Sequence, residues 1–504
     1  MTWVDDWGLS LATFLPIVGA VVVLFVPEAN EKAIKAVGTL FAGLALIAGI
    51  LVLFRFDYAN AGAIQLEVNS RWIPQIDSRY HIGVDGMSLP LFELSLLVSF
   101  LCMIYLWWHV PEPGRPKAFF ALVLLLETGM TGSFVALDLI LFFIFFELVL
   151  VPMYFMIGVW GGPRKEYAAV KFFLYTLFGS IFMLLSFLAL YINADTFDML
   201  ALKEGGIDAS STFQNLVFFG LFLGFAVKVP MWPFHTWLPD AHTEAPTVGS
   251  VLLAAIMLKL GTYGFIRIAI PILPDAAITF APYIGILAVI AIIYGSLCCF
   301  AQTDLKRMIA FSSVGHMGFV MLGIATLTDT GINGAIFGMV AHGLITGMLF
   351  FLAGSIHERY HTREISALGG VLGQIPKFGS VLTYAAIASL GLPGLAGFWG
   401  EMLALLGAYQ PHPALDETLF RVLMVGGGIG TVLTAGYFLW MLQRVNLGRP
   451  QPQFAESRMF DVVPLEWLAW VPLLVLILAA GLYPRLIFDS TGSAVESLLR
   501  AFGS

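Results

Sequence analysis

Charge is scarce in this chain. Asp, Glu, Lys and Arg make up 12% of its 504 residues, against about a quarter in an ordinary soluble domain. No basic face exists, so no nucleic-acid partner is expected, and the net charge of −8 carries little meaning where side and depth decide what a charge does. Cysteine is scarcer still. Cys102, Cys298 and Cys299 form no C-x-x-C pair, while zinc and iron–sulfur centres need about four well-spaced ligands. They read as packing residues, and no metal or cofactor is expected in this chain. The N-terminus, MTWVDDWGLS, has acids where a secretion signal carries positive residues, so the first apolar segment is expected to be a retained helix. Long polar stretches are missing too: the longest is 55–82, which leaves no room for a water-soluble domain.

What remains is apolar. Hydrophobic residues are 59% of the chain and mean hydropathy is +0.89. Runs long enough to cross a hydrocarbon core of about 30 Å recur from end to end. Spans are predicted near 9–26, 36–54, 84–109, 117–136, 139–158, 168–192, 212–238, 245–269, 280–300, 306–326, 332–354, 377–408, 418–443 and 462–483. The expected fold is therefore an all-α integral membrane protein of about fourteen transmembrane helices, with residues 1–504 one membrane domain and 489–503 a short C-terminal tail too polar to span. Cytoplasmic loops carry the excess of Lys and Arg. With an external N-terminus the inner loops take Lys32, Lys35, Arg115, Lys117, Arg164, Lys165, Lys171, Lys306, Arg307, Arg359, Arg363, Lys377, Arg444, Arg449 and Arg458. The outer side takes Arg55, Arg71, Arg79, Lys203, Arg267, Arg421, Arg485 and Arg500. Both termini are thus expected outside.

Two spans contain helix breakers. The seventh runs through KVPMWPFHTWLPD, where Pro230 and Pro233 lack amide donors and clash with the preceding turn. The twelfth contains GLPGLAGFWGE, with Pro393 among Gly391, Gly394, Gly397 and Gly400. Backbone freed by a break inside a bilayer must face protein or water. Paired interruptions suggest two inverted repeats around a transport path, placed at 117–269 and 280–443.

Four ionisable residues lie deep in the apolar runs: Glu147, Lys228, Lys259 and Glu401. Exposed to lipid and unpaired, they would together cost on the order of 10–14 kcal/mol, so they must face the interior. Glu127, nearer a helix end, is a weaker fifth member. Structural ion pairs that pin helices together are the plain alternative, but four sites on four segments, two of them beside breaks, favour a proton relay. Burial raises a Glu pKa and lowers a Lys pKa, and an opposite charge nearby reverses both shifts. Opening and closing a Glu147–Lys228 pair would switch the affinity of Lys228 for its proton. Moving one proton against ~150 mV costs roughly 3.5 kcal/mol, a pKa swing of about 2.5 units, which one close partner in a low-dielectric interior can supply. His235, His316 and His342 are further relay candidates, since imidazole titrates near neutrality through two nitrogens; a lone membrane histidine is as often a packing residue. His316 and His342 would also suit a haem clamp, which nothing else in the sequence supports. Ser312, Ser313, Thr346 and Tyr263 could hold water chains, though helical hydroxyls usually bond their own backbone.

The stretches FFELVLVPMYFMIGVWG (145–161), KVPMWPFHTWLPDAHTEAPTVGSVLLAAIMLKLGTYG (228–264), DLKRMIAFSSVGHMG (304–318), LPGLAGFWGE (392–401) and GVDGMSLP (83–90) resemble the antiporter-like membrane subunits of respiratory complex I. The resemblance covers nearly the whole chain. It implies that Glu147 and Lys228 are the family's glutamate–lysine pair, Lys259 its central lysine, and Glu401 the terminal residue of its broken twelfth helix. Sister subunits L and N usually carry lysine at that last position, and L continues into a long lateral helix, so neither is the best match. The resemblance further implies proton movement driven by NADH-to-quinone electron transfer in other subunits. NADH, FMN, iron–sulfur clusters and quinone would be bound there, with L and N as neighbours in a bacterial inner membrane. The rival readings are a subunit of a multi-subunit Na⁺/H⁺ antiporter, a structural spacer of the membrane arm, and a subunit of a related complex fed by ferredoxin or another donor.

Overall fold

The computed structural model describes residues 2–455 and 458–502. Helices α1 (Thr2–Phe25) and α2 (Glu31–Arg55) form a hairpin in which Asn30 caps α2 by accepting from the Ala33 amide. The polar stretch that follows, too short for a separate domain, folds into an antiparallel hairpin, β1 (Gln65–Ile73) and β2 (Ser78–Val84). Then come α3 (Leu89–Trp108), α4 (Pro116–Val135), α5 (Leu139–Leu148), α6 (Leu150–Trp160), α7 (Lys165–Ala194), the short α8 (Met199–Gly205) and α9 (Ser211–Lys228).

The expected seventh span ends early. Helix α9 stops at Lys228, residues 229–236 are irregular, and α10 (Trp237–Glu244) resumes. The eighth span is one long helical segment of three α pieces, α11 (Thr247–Leu252), α12 (Leu258–Gly264) and α13 (Ile270–Ile272), joined by π turns over Leu253–Met257 and Phe265–Ala269. Beyond it lie α14 (Pro274–Phe300), α15 (Leu305–Ala325), α16 (Asp329–Tyr360), the four-residue α17 (Val371–Gln374), α18 (Pro376–Ser389), α19 (Gly397–Tyr409), α20 (Glu417–Met441), α21 (Pro464–Leu482) and α22 (Arg485–Leu499).

Thirteen helical segments among the described residues are long and apolar enough to cross a membrane. The expected span not among them is the twelfth, 377–408, which is the pair α18 and α19, each too short alone. Gly391 at φ +81° and Gly394 at φ +95° occupy left-handed backbone that L side chains rarely adopt, and Pro393 between them ends any helical continuation. The tail predicted at 489–503 is largely helix α22. Its apolar face, including Ile487, Val495 and Leu498, is buried, and Thr491 donates to the Asn333 side chain at 2.6 Å.

The centre is formed by Thr247–Ile272, α15 and α16, whose apolar stretches are buried almost throughout. Outer helices turn Phe25, Phe54, Leu174, Val432 and Leu482 outward, as lipid-facing helices do. Charges carried by central helices are thereby kept from the hydrocarbon. Three basic residues counted toward the inner or outer side prove buried. Arg359 donates to both Glu466 oxygens at 2.9 and 2.6 Å, Arg267 donates to Asp85 at 2.5 Å, and Lys306 donates to the Ala245 carbonyl. Each has a specific acceptor that compensates its desolvation, which a count of charge by side could not foresee. Cys102, Cys298 and Cys299 are all free thiols.

Candidate functional site: a buried line of charge

The central lysine, Lys259, stands two residues past the end of a π turn. In Leu253–Met257 the backbone takes one extra residue into the turn and is locally under-wound, a distortion frequent at functional sites. Lys259, fully buried, points its amine back along this segment and donates to the Ala254 carbonyl at 2.5 Å. The same Nζ lies 2.7 Å from Nδ1 of His342 on α16. The His342 ring is 5.7 Å, centroid to centroid, from that of His316 on α15. His316 Nδ1 is 3.1 Å from Glu401 Oε1 on α19, and its Nε2 is 3.1 Å from the Ser389 hydroxyl at the end of α18.

Four residues singled out in the sequence therefore form one line, Lys259–His342–His316–Glu401. The break between α18 and α19 supplies both of its terminal contacts, Ser389 and Glu401. Close helix approach fixes the geometry: a Cβ on Gly400 would meet the Gly338 backbone of α16 at 2.6 Å, so only glycine lets α19 bring Glu401 this near. A cavity of about 30 Å³ lies among His316, His342, Thr346, Ser389 and Glu401. That suffices for a water or two, and the unpartnered His342 Nε2 and Glu401 Oε2 are the polar atoms such water would satisfy. It leaves no space for a porphyrin, so the haem alternative fails on volume.

Glu147, Lys228 and His235 lie apart from this line. Glu147 ends α5, where Pro152 withholds the amide that would have bonded the Leu148 carbonyl. Its carboxylate accepts from the Ser180 hydroxyl of α7. Lys228, at the end of α9, has no hydrogen-bond partner for Nζ and lies over the Phe146 ring, 4.6 Å from its centroid. Among the described residues no ion pair within 4 Å joins Glu147 to Lys228; the pair is held open, though the two charges remain close enough to interact. His235 follows the α9 break with its ring against Tyr294, and its Nδ1 is unpartnered. Glu127 is fully buried on α4 with both oxygens unpartnered. Of the hydroxyls expected to hold water, Thr346 lines the small cavity, Tyr263 instead donates to the Phe134 carbonyl, and Ser312 and Ser313 bond the Ile309 carbonyl of their own helix.

Two buried titratable groups on the inner approach to this line were not among the sequence candidates. His242 on α10 is fully buried, stacked on Phe350 at 4.4 Å, with both ring nitrogens unpartnered. Lys306 starts α15 beside a cavity of about 790 Å³. Their polar neighbours, DAHTE and TDLKR, read as loop. The signal was there in the apolar runs that begin immediately after each.

A many-helix bundle with interrupted segments and a polar line through its centre defines a polytopic membrane protein built for moving charge. The chain belongs to the family described as NADH:quinone oxidoreductase/Mrp antiporter, TM, whose match spans residues 136–426. Its similarity runs end to end with proteins named NADH-quinone oxidoreductase subunit M. The one from Rickettsia bellii is 40% identical over 500 residues, covering 98% of this chain and 99% of that protein. The one from Rhodobacter capsulatus is 41% identical over 510 residues, covering 98% and 96%. A chain of respiratory complex I from Thermus thermophilus, solved with bound NADH, superposes with a TM-score of 0.87 at 28% identity, covering 98% of this chain and all of that one. A chain of the Mrp complex from Dietzia sp. DQ12-45-1b superposes with a TM-score of 0.82 at 20% identity over 98% of this chain and 52% of that one, a likeness of fold alone.

Proposed function

We propose that this chain is the subunit-M-type proton carrier of an NADH:quinone oxidoreductase, without redox chemistry of its own. The observation that carries this reading is the Lys259–His342–His316–Glu401 line with its water-sized cavity. Each neighbour can accept what the previous group releases. A proton on Lys259 passes to His342 Nδ1, crosses to His316 through the ring gap and its water, and reaches Glu401, from which it leaves outward. Glu147 and Lys228 act as the switch. When Glu147 turns from Ser180 toward Lys228, the new ion pair holds the Lys228 proton; when it turns back, the unpartnered ammonium over Phe146 favours losing it. His235, close to the same break, extends that half of the path.

In this reading residues 117–269 and 280–443 are the two inverted repeats. What supports them is that each contains an interrupted helix, at 229–236 and 390–396. The redox groups, NADH, FMN, iron–sulfur clusters and quinone, belong to partner subunits, and subunits of the L and N types are its neighbours in a bacterial inner membrane, with both termini outside. Replacing Lys259 with Met in the assembled complex is expected to reduce NADH-driven proton uptake by inverted membrane vesicles at least tenfold. Uptake at the wild-type rate would leave the spacer reading in its place. Sodium-dependent exchange by this chain without NADH would instead favour the antiporter reading.

A further inference from the structure

The line through Lys259 needs an inner entrance. The ~790 Å³ cavity is bounded by the loops expected on the cytoplasmic side: the end of α3, the α6–α7 turn, the α10–α11 turn, the start of α15 and the end of α16. Its walls carry proton-exchanging groups, among them Glu112, Glu244, His357 and Glu358. Lys306 also lines it, yet its side chain is almost entirely buried and its Nζ donates to the Ala245 carbonyl, beyond the C-terminus of α10. Three residues before that carbonyl is His242, whose ring lies within electrostatic reach of both Lys306 and Lys259 and has no partner on either nitrogen. A buried imidazole with two free nitrogens, within electrostatic reach of two buried amines, has the chemistry of a two-sided proton carrier.

We infer that Lys306 and His242 are the inner entrance of the relay, a role that rests on the proton-carrying reading above. Neutral Lys306 takes a proton from water in the cavity. The resulting ammonium gives it to one nitrogen of His242, directly or through water, and the imidazolium releases a proton from its other nitrogen to neutral Lys259. Lys306 is then neutral again, Lys259 carries the proton, and His242 is left as its other tautomer, which a ring flip or proton exchange through water resets before the next transfer. The contact with Ala245 positions the Lys306 amine between cavity and ring.

The competing role for Lys306 is purely structural, pinning the α10–α11 turn through that carbonyl. Arginine separates the two. A guanidinium can still donate to Ala245, but it does not release its proton at physiological pH. The test is NADH-driven proton uptake by inverted vesicles containing the whole complex, scaled to assembled complex on native gels. Lys306→Met, Lys306→Arg and His242→Gln are each expected to lower uptake at least fivefold. Wild-type uptake in assembled Lys306→Arg overturns the entrance role and leaves the structural pin. Wild-type uptake in His242→Gln overturns it equally, and that variant decides the matter should the arginine variant fail to assemble. Lys259→Met, run alongside, keeps the two readings apart. Its loss of uptake with both entrance variants intact sinks only the entrance, whereas its own wild-type uptake sinks the relay.

Discussion

Buried charge is tolerated here one acceptor at a time. Arg359 and Glu466 are both inaccessible to solvent, and the guanidinium also donates to the Ser355, Phe460 and Asp461 carbonyls and lies over the Phe460 ring. Removing one partner of such a pair leaves the other charged and desolvated, a loss of about 3–5 kcal/mol. Arg359→Met is therefore expected to lower the thermal stability of the detergent-solubilised complex markedly, and Arg359→Met combined with Glu466→Leu to recover much of it. If the double variant is no more stable than the single one, the carbonyl contacts rather than the ion pair hold α16 to the start of α21. The contrast with Lys228 is instructive, because that ammonium is left with an aromatic face and no acceptor. Glu147, Lys228, Lys259 and Glu401 were legible in the sequence because each interrupts an apolar run. Arg359, Lys306 and His242 were not, because each sits at a run's end among polar neighbours, and Glu466 was not, because it falls in the first turn of an apolar helix; in all four, burial depends on which helix packs across.

Elements were legible to different degrees for reasons of period and breaker chemistry. Long apolar runs gave the helices, and proline with glycine gave both interruptions. The distance between Glu147 and Lys228 was invisible, since it depends on the crossing of α5, α7 and α9. The β1–β2 hairpin was missed because its strands bury little of β1 and so show no apolar alternation for a reader to find. What holds the hairpin is polar. Asp138 accepts from the Ser78 hydroxyl and the Arg79 amide while capping α5, and His81 lies between Asp198 at 2.6 Å and Glu67 at 2.8 Å. Only an imidazolium can donate to two carboxylates at once. Burial opposes the charge, but the two carboxylates outweigh it, so the His81 pKa is raised and that of Asp198 lowered. A raised histidine pKa contributes stability below its unfolded value, about 6.5, and that contribution fades as pH climbs through the folded value. Hydrogen exchange across residues 65–84 should accelerate above neutral pH beyond its intrinsic base catalysis, and His81→Gln should abolish that excess. An unchanged excess in the variant would remove His81 from the account. At the second interruption, Gly391→Ala places a side chain on left-handed backbone, costing about 1–2 kcal/mol, and puts its Cβ 3.2 Å from Glu401 Oε2. Proton uptake should fall in this variant while the complex still assembles; uptake equal to wild type would mean that the α18–α19 turn does not set the position of Glu401.

At the scale of the whole molecule, orientation links the charge bias to the path. Fifteen of the 25 Lys and Arg residues fall on the side expected to be cytoplasmic, and the Lys306 cavity is bounded by that same set of loops. The hairpin with His81 and the Arg267–Asp85 pair lies on the other. Burial of Lys306 and Arg359 removes two charges from the inner count, but an excess remains there, and the orienting effect acts during insertion, before helices pack. Protons should then enter beside Lys306 and leave beyond Glu401. The sidedness is open to direct measurement. Asn60 and Gln453 are both exposed, the first on the hairpin side and the second in the loop between α20 and α21. In right-side-out vesicles, a membrane-impermeant maleimide should label Asn60→Cys and spare Gln453→Cys, and inverted vesicles should reverse the result. Labelling of Gln453→Cys from outside would turn the molecule over. The cavity at Lys306 would then be an outlet, and the direction of every proton step through His242 and Lys259 would have to be reversed with it.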